Sequence, residues 1–324
     1  FCGASGGDVD PDGDADLHFT DYDSGGASGS KDLNDRLLIN DGNGFFTDES
    51  SLRMTTQMLA SDFGTSSRIV ELNGLPGLDL LKNENGSGEA IYNNSAAVGT
   101  FNLWDPYHPS SAYHVSAGDL NNDGRIDAIY SEDGADRYTY NLGTDALGRV
   151  TWGSGKTFQF LTGGDDGFGS DSLAVDLDGD TWQDVIIADV DVDLVSCGGR
   201  IHIYHNPGGT VGAEIILREE AGGSGSGDWR GAKGLTANDL KGGHDVAVFD
   251  LDNDGDLDMV LGRCVGNFVW INDVGIGTRD LRDAARPALQ EHDAVGDVDR
   301  LLDGMRDEDE GFLLLGDQGE EVLL

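Results

Sequence analysis

One nine-residue pattern recurs along the chain and constrains its fold more than any other feature. It reads D-x-[DN]-x-D-[GT]-x-x-D, and it is written four times. The copies are Asp8-Val-Asp10-Pro-Asp12-Gly13-Asp14-Ala-Asp16, Asp119-Leu-Asn121-Asn-Asp123-Gly124-Arg125-Ile-Asp127, Asp176-Leu-Asp178-Gly-Asp180-Thr181-Trp182-Gln-Asp184 and Asp250-Leu-Asp252-Asn-Asp254-Gly255-Asp256-Leu-Asp258. Two worn copies begin at Glu71 and Asp297. In the first, Leu75 replaces the fifth-position acid and Pro76 the glycine, so this loop is expected to hold no metal. The repeat is about fifty residues with variable insertions, which suits a four-stranded β-propeller blade.

The flanks carry the strands. Ala128–Tyr130, Val185–Ala188 and Met259–Gly262 follow their loops, a second apolar run follows a turn at Arg36–Asn40, Arg200–Tyr204 and Asn267–Ile271, and Leu173–Val175 and Val246–Phe249 precede theirs. These runs are short, β-branched and bounded by Gly, Asn or Asp, which reads as strands. The expected fold is all-β: one propeller over residues 1–324 with six to seven blades. Six can be placed, at about 1–60, 61–112, 113–168, 169–243, 244–291 and 292–324. Fifty glycines in 324 residues support many tight turns.

Oxygen side chains at positions 1, 3, 5 and 9, a glycine at 6 and a backbone carbonyl at 7 can wrap one hard cation. The expected ligands are Asp8, Asp10, Asp12, Asp14 and Asp16; Asp119, Asn121, Asp123, Arg125 and Asp127; Asp176, Asp178, Asp180, Trp182 and Asp184; and Asp250, Asp252, Asp254, Asp256 and Asp258. The residues at position 7 contribute through the main chain. An EF-hand would need Glu at position 12 and flanking helices, and that position holds Phe19, Tyr130, Ile187 or Leu261. One acidic turn would be unremarkable. Four clusters of carboxylates at matched strand positions repel themselves unless cations neutralise them, so about four Ca²⁺ ions are expected.

The same charge limits the partners. With 61 acidic against 20 basic residues the formal net charge is -41, which disfavours nucleic acid and anionic membrane surfaces. No stretch reaches the roughly 18 apolar residues of a membrane span, and direct membrane insertion is not expected.

The segment Phe168-Gly169-Ser170…Asp176-Leu-Asp-Gly-Asp180…Asp184-Val-Ile-Ile…Gly199-Arg-Ile-His-Ile-Tyr204 resembles the FG-GAP repeat of integrin α-chain propellers. Leu37-Leu-Ile-Asn-Asp41-Gly-Asn-Gly-Phe-Phe-Thr47 resembles its bacterial VCBS-type relative. The resemblance covers most of residues 1–275 and implies a seven-bladed propeller with Ca²⁺ in the loops between strands 1 and 2. No Gly-Ala-Pro follows the strands, and the last unit is short. An extracellular setting follows from the resemblance, and no signal peptide opens the chain.

No catalytic motif emerges. Gly3-Ala-Ser5-Gly-Gly7 lacks the strand–turn–helix context of a nucleophile elbow. His202 and His205, three apart in a strand, face opposite sides. The expected function is binding or adhesion to a protein or glycan. A sugar-active enzyme on a propeller scaffold and a structural subunit of a surface assembly are the alternatives. Long segments at 96–113, 152–167 and 219–243, read as crossovers, would bring Trp104, Tyr107, Trp152, Trp229 and Arg230 to the face opposite the calcium loops. Cys197 and Cys264 occupy equivalent turns of successive units and are expected to form a disulfide, with two buried thiols as the alternative.

Overall fold

The computed structural model describes residues 3–21, 34–60, 65–84, 87–108, 112–132, 134–160, 168–190, 199–215, 241–264 and 266–272. Five antiparallel sheets follow one another along these residues. The first contains β1 (Gly3–Gly7), β2 (Asp16–Thr20), β3 (Arg36–Asn40) and β4 (Phe46–Asp48), and a short helix α1 (Ser50–Arg53) follows it. The second contains β5 (Ser67–Val70), β6 (Asp79–Glu84), β7 (Ser87–Asn93) and β8 (Phe101–His108). In the third, β9 (Ala112–Gly118), β10 (Asp127–Glu132) and β11 (Arg137–Thr139) are followed by a separate hairpin, β12 (Asn141–Thr144) and β13 (Val150–Trp152), before β14 (Lys156–Thr157) closes the sheet. The fourth contains β15 (Phe168–Val175), β16 (Asp184–Val190) and β17 (Ile201–Tyr204), and Glu214 forms an isolated bridge with Tyr204. The fifth contains β18 (Gly243–Phe249), β19 (Asp258–Arg263) and β20 (Phe268–Trp270).

Each sheet runs in up-and-down order, and its first strand packs beside the first strand of the next: β1 on β5, β5 on β9, β9 on β15 and β15 on β18. The apolar cores lie between sheets, where the 2-residue side-chain period of a strand feeds both faces. Leu37, Ile39, Leu80 and Ile91 join sheets one and two; Leu81, Tyr92, Val115 and Tyr130 join two and three. Ile129, Tyr138, Val185 and Tyr204 join three and four, and Ile186, Ile203, Met259 and Trp270 join four and five. Sheets stacked face to face around their first strands are the blades of a β-propeller, and five are present among the described residues. The sixth unit expected at 292–324, with its Asp297 loop, lies outside them.

A polar clamp repeats at every one of these joints. The position-9 aspartate of each loop is buried and accepts two backbone N–H groups, one on each oxygen. For Asp127 these come from Leu120 (3.0 Å) and Asn141 (2.8 Å). Asp79 of the worn loop is held in the same way by Leu72 (3.1 Å) and Asn93 (2.8 Å). The asparagine then reaches across to the preceding blade. Asn93 Nδ2 donates to the Val9 carbonyl (2.8 Å), Asn141 to Leu72 (2.7 Å), Asn206 to Leu120 (2.7 Å) and Asn272 to Leu177 (3.0 Å). A buried carbonyl needs a donor, and here it comes from the next blade.

Candidate metal loops and candidate ligand residues

The four full loops all connect the first and second strands of their blades, and their local geometry is nearly the same. Asp176 at position 1 accepts the N–H groups of Asp180 (3.1 Å) and Thr181 (2.8 Å); Asp180 accepts that of Trp182 (2.8 Å). Asp250 and Asp8 hold the corresponding amides of their own loops. These bonds turn the chain so tightly that position 6 has positive φ: 99° at Gly13, 81° at Gly124 and 99° at Gly255. Thr181 is held at φ 80°, a region that strains a β-branched residue, in line with its replacing the glycine.

Three loops gather carboxylate oxygens within 4.8 Å of one another: Asp8, Asp10 and Asp12; Asp176, Asp178 and Asp184; and Asp250, Asp252 and Asp254. Among the described residues the Asp119 loop gathers no such triad, because Asn121 supplies an amide and the Arg125 side chain pairs with Asp123. The expected contribution of Arg125 was only its main-chain carbonyl; its guanidinium takes up the position-5 acid. Asp10 is also shared, with Arg53 of α1 at 2.9 Å.

Burial sets the electrostatics. It pushes Asp184 and Asp127 up to about 7 and raises Asp16 and Asp258, with backbone N–H groups and nearby acids acting after it. Asp252 is pushed to about 6 by burial and then by Asp254. All-oxygen donors in loops that cannot comfortably hold their own charge fit a hard cation. The worn loop is different: Glu71 accepts the Asn73 and Gly74 N–H groups, and the β12–β13 hairpin covers it through Asn73 Nδ2 to the Gly148 carbonyl (3.0 Å). Asp79 nevertheless keeps its place, so position 9 has a structural role even in a loop without the other acids.

His205 was not foreseen at a loop. Its Nε2 lies 3.1 Å from Asp178 and 3.8 Å from Asp180, at the end of β17. His202 points elsewhere, to Glu214 (3.0 Å) and Asp189 (3.7 Å), in agreement with the alternation of the strand. The clamp asparagines were also missed, although three of them stand 14 residues after their position-9 aspartate.

The aromatic residues are not arranged as expected. Trp104 and Tyr107 belong to β8, the outer strand of the second blade, where Trp104 pairs with Ile91. They are not on a crossover. Trp104 is 38% exposed, whereas Tyr107 is buried and packs on Trp152 (centroids 5.4 Å apart) and Tyr130 (6.0 Å). Trp152 lies on the β12–β13 hairpin, which belongs to a turn between strands three and four on the acidic-loop side. Only Trp104 of the three is an exposed large apolar side chain. Trp229 and Arg230 lie outside the described residues. Cys264 is disulfide-bonded, and Cys2 and Cys197 both lie outside the described residues.

No family model and no curated protein matches the chain. Among solved structures it is similar to an Agrocybe aegerita lectin described as recognising non-reducing terminal N-acetylglucosamine, with TM-score 0.51 and 17% identity over 83% of this chain and 62% of the lectin chain. It also matches a Photorhabdus luminescens Tc holotoxin pore at TM-score 0.42 and 16% identity, over 85% of this chain and 11% of that one. The chain thus spans about 62% of the length of the lectin chain it matches. At this identity the likeness concerns architecture, and the lectin shares with this chain the fold of a β-propeller.

Proposed function

We propose that this chain is a calcium-stabilised, extracellular binding propeller of the FG-GAP/VCBS type that recognises a protein or glycan partner without transforming it. The observation that carries the reading is the convergence of three carboxylates in each of three equivalent loops. A bound Ca²⁺ supplies the positive charge that these oxygens lack, and position-1 carboxylates already oriented by main-chain N–H groups would hold it. Calcium in this role ties down the first turn of a blade and leaves the outer strands for recognition.

The lectin of similar fold is described as binding a terminal sugar, which favours a glycan among the candidate partners. Trp104 is the exposed aromatic from the expected set, and an aromatic face is suited to stack on a sugar or anchor a protein contact. Its place on β8 moves the proposed contact to the blade edge. The test is binding of the calcium-loaded chain to an immobilised glycan panel, with Trp104→Ala as control. Binding that weakens about tenfold or more in the variant supports the reading. Binding unchanged by Trp104→Ala excludes the edge as the contact, and no binding to any glycan leaves a protein partner as the object of the same assay.

A further inference from the structure

The first strands of all five blades enclose a cavity of about 540 Å³. That is the size of a small-molecule site, which spans roughly 300–1,000 Å³. The acidic loops do not line it. Three of its titratable groups come from one register of the repeat, five residues ahead of each loop, and two more from positions beside that register. β5 gives Arg68, β9 gives His114, β15 gives Asp171, and β18 gives His244 and Asp245. The first two blades give Gly3 and Ser66 at that register, so their walls carry no charge there.

The charged groups are held firmly. Asp171 Oδ1 lies 3.1 Å from His114 Nε2 and 3.6 Å from Arg68 Nη2, and it accepts the Ser172 N–H at 2.8 Å. Its Oδ2 accepts the Val246 N–H from the next blade at 3.3 Å. Asp245 Oδ1 accepts the same N–H at 2.8 Å, so the two carboxyl groups converge on one amide. Burial, and then Asp245 beside it, pushes Asp171 up to about 8. His114 is kept neutral by burial and by Arg68. Arg68 therefore offsets one of the two carboxylates.

We propose that the axial cavity binds a primary ammonium group, held between the carboxylates of Asp171 and Asp245. With both carboxylates ionised, the four groups Arg68, His114, Asp171 and Asp245 carry one net negative charge, which one ammonium balances. Its N–H groups donate to the two facing carboxylates, and the proton that Asp171 holds below about pH 8 leaves to solvent. A divalent ion fits less well. Arg68 stands 3.6 Å from Asp171 and would repel it, and no metal-type triad forms there among the described residues. The chain's net charge of -41 draws organic cations toward the opening.

The experiment is isothermal titration of the full chain, with calcium present throughout, using D-glucosamine, D-glucose and further CaCl₂ as probes. Two buffers of different ionisation enthalpy report the protons released. The proposal predicts heat from glucosamine with net proton release, none from glucose, and binding about tenfold weaker in Asp245→Asn. Asp245 is exposed, so this variant should keep its melting temperature, and a second variant, Arg68→Gln, should bind the amine at least as tightly. Equal binding of glucose and glucosamine would overturn the proposal in favour of a polyol site. A calcium heat lost in Asp245→Asn would overturn it in favour of a metal site. Absence of glucosamine binding at millimolar concentration overturns it outright.

Discussion

Replacing Asn141 by Ala removes a blade-to-blade clamp without touching any acidic loop ligand directly. The side chain is fully buried; it donates to the Leu72 carbonyl at 2.7 Å and accepts the Gly143 N–H at 2.9 Å. Leu72 is itself buried, so its carbonyl gains no water when the donor goes. An unsatisfied buried acceptor costs about 1–3 kcal/mol and the lost turn bond about 1 more, giving roughly 3 kcal/mol. For a domain of this size that is a fall of about 6–12 °C in Tm. Thermal melts of wild type and variant, each with excess calcium and with chelator, read it. The fall should be similar in both conditions, because the side-chain bonds lost run to the Leu72 carbonyl and the Gly143 N–H and not to a loop carboxylate. Asn141→Asp keeps the shape but places a carboxylate against a carbonyl, and should be no more stable than the alanine variant. A loss below about 1 kcal/mol would refute the reasoning, since it would mean that the Leu72 carbonyl is satisfied by something else.

Thr181→Gly relieves the positive φ at position 6 and should stabilise the chain by about 1 kcal/mol, read in urea melts; a destabilised variant would show that the threonine side chain contributes more than its strain costs. His202 is lowered by burial, but the Asp189 carboxylate 3.7 Å away and the hydrogen bond with Glu214 outweigh this and leave it at about 9. Its contribution, on the order of 3 kcal/mol, is therefore full below pH 6.5 and lost as pH rises through about 9. Tm should fall across that window and fall less steeply in His202→Gln; parallel profiles would assign the loss to other groups. A Cys197–Cys264 disulfide predicts that alkylation without reductant labels neither residue, and a label on Cys264 would contradict it.

The acidic loops and the strands beside them were legible because a metal-type turn is local: its donors and its glycine lie within nine residues, and the apolar runs begin where the loop ends. The register predicted at Arg36–Asn40 is that of β3. The outer strands were not legible. β8 contains Asp105 and Pro106, and edge strands tolerate both since one side of the strand has no ladder to complete. Trp104 therefore looked like a loop residue. The clamp asparagines and the axial ring repeat as regularly as the acids do. Each, however, finds its partner in another blade, so spacing alone showed the recurrence and not the contact. His114, Asp171 and Asp245 share one register yet differ in type, which hid them from a search for identical residues.

Calcium is the centre of the account, and its stoichiometry together with its effect on melting tests it most directly. Elemental analysis of the dialysed chain should find about four calcium ions, or three if the Arg125–Asp123 pair keeps the Asp119 loop empty. Each site filled at a hundredfold excess over its Kd adds about 2.7 kcal/mol, so chelation should lower Tm by tens of degrees or unfold the chain. A chain with no bound calcium and the same Tm with and without chelator would contradict the account.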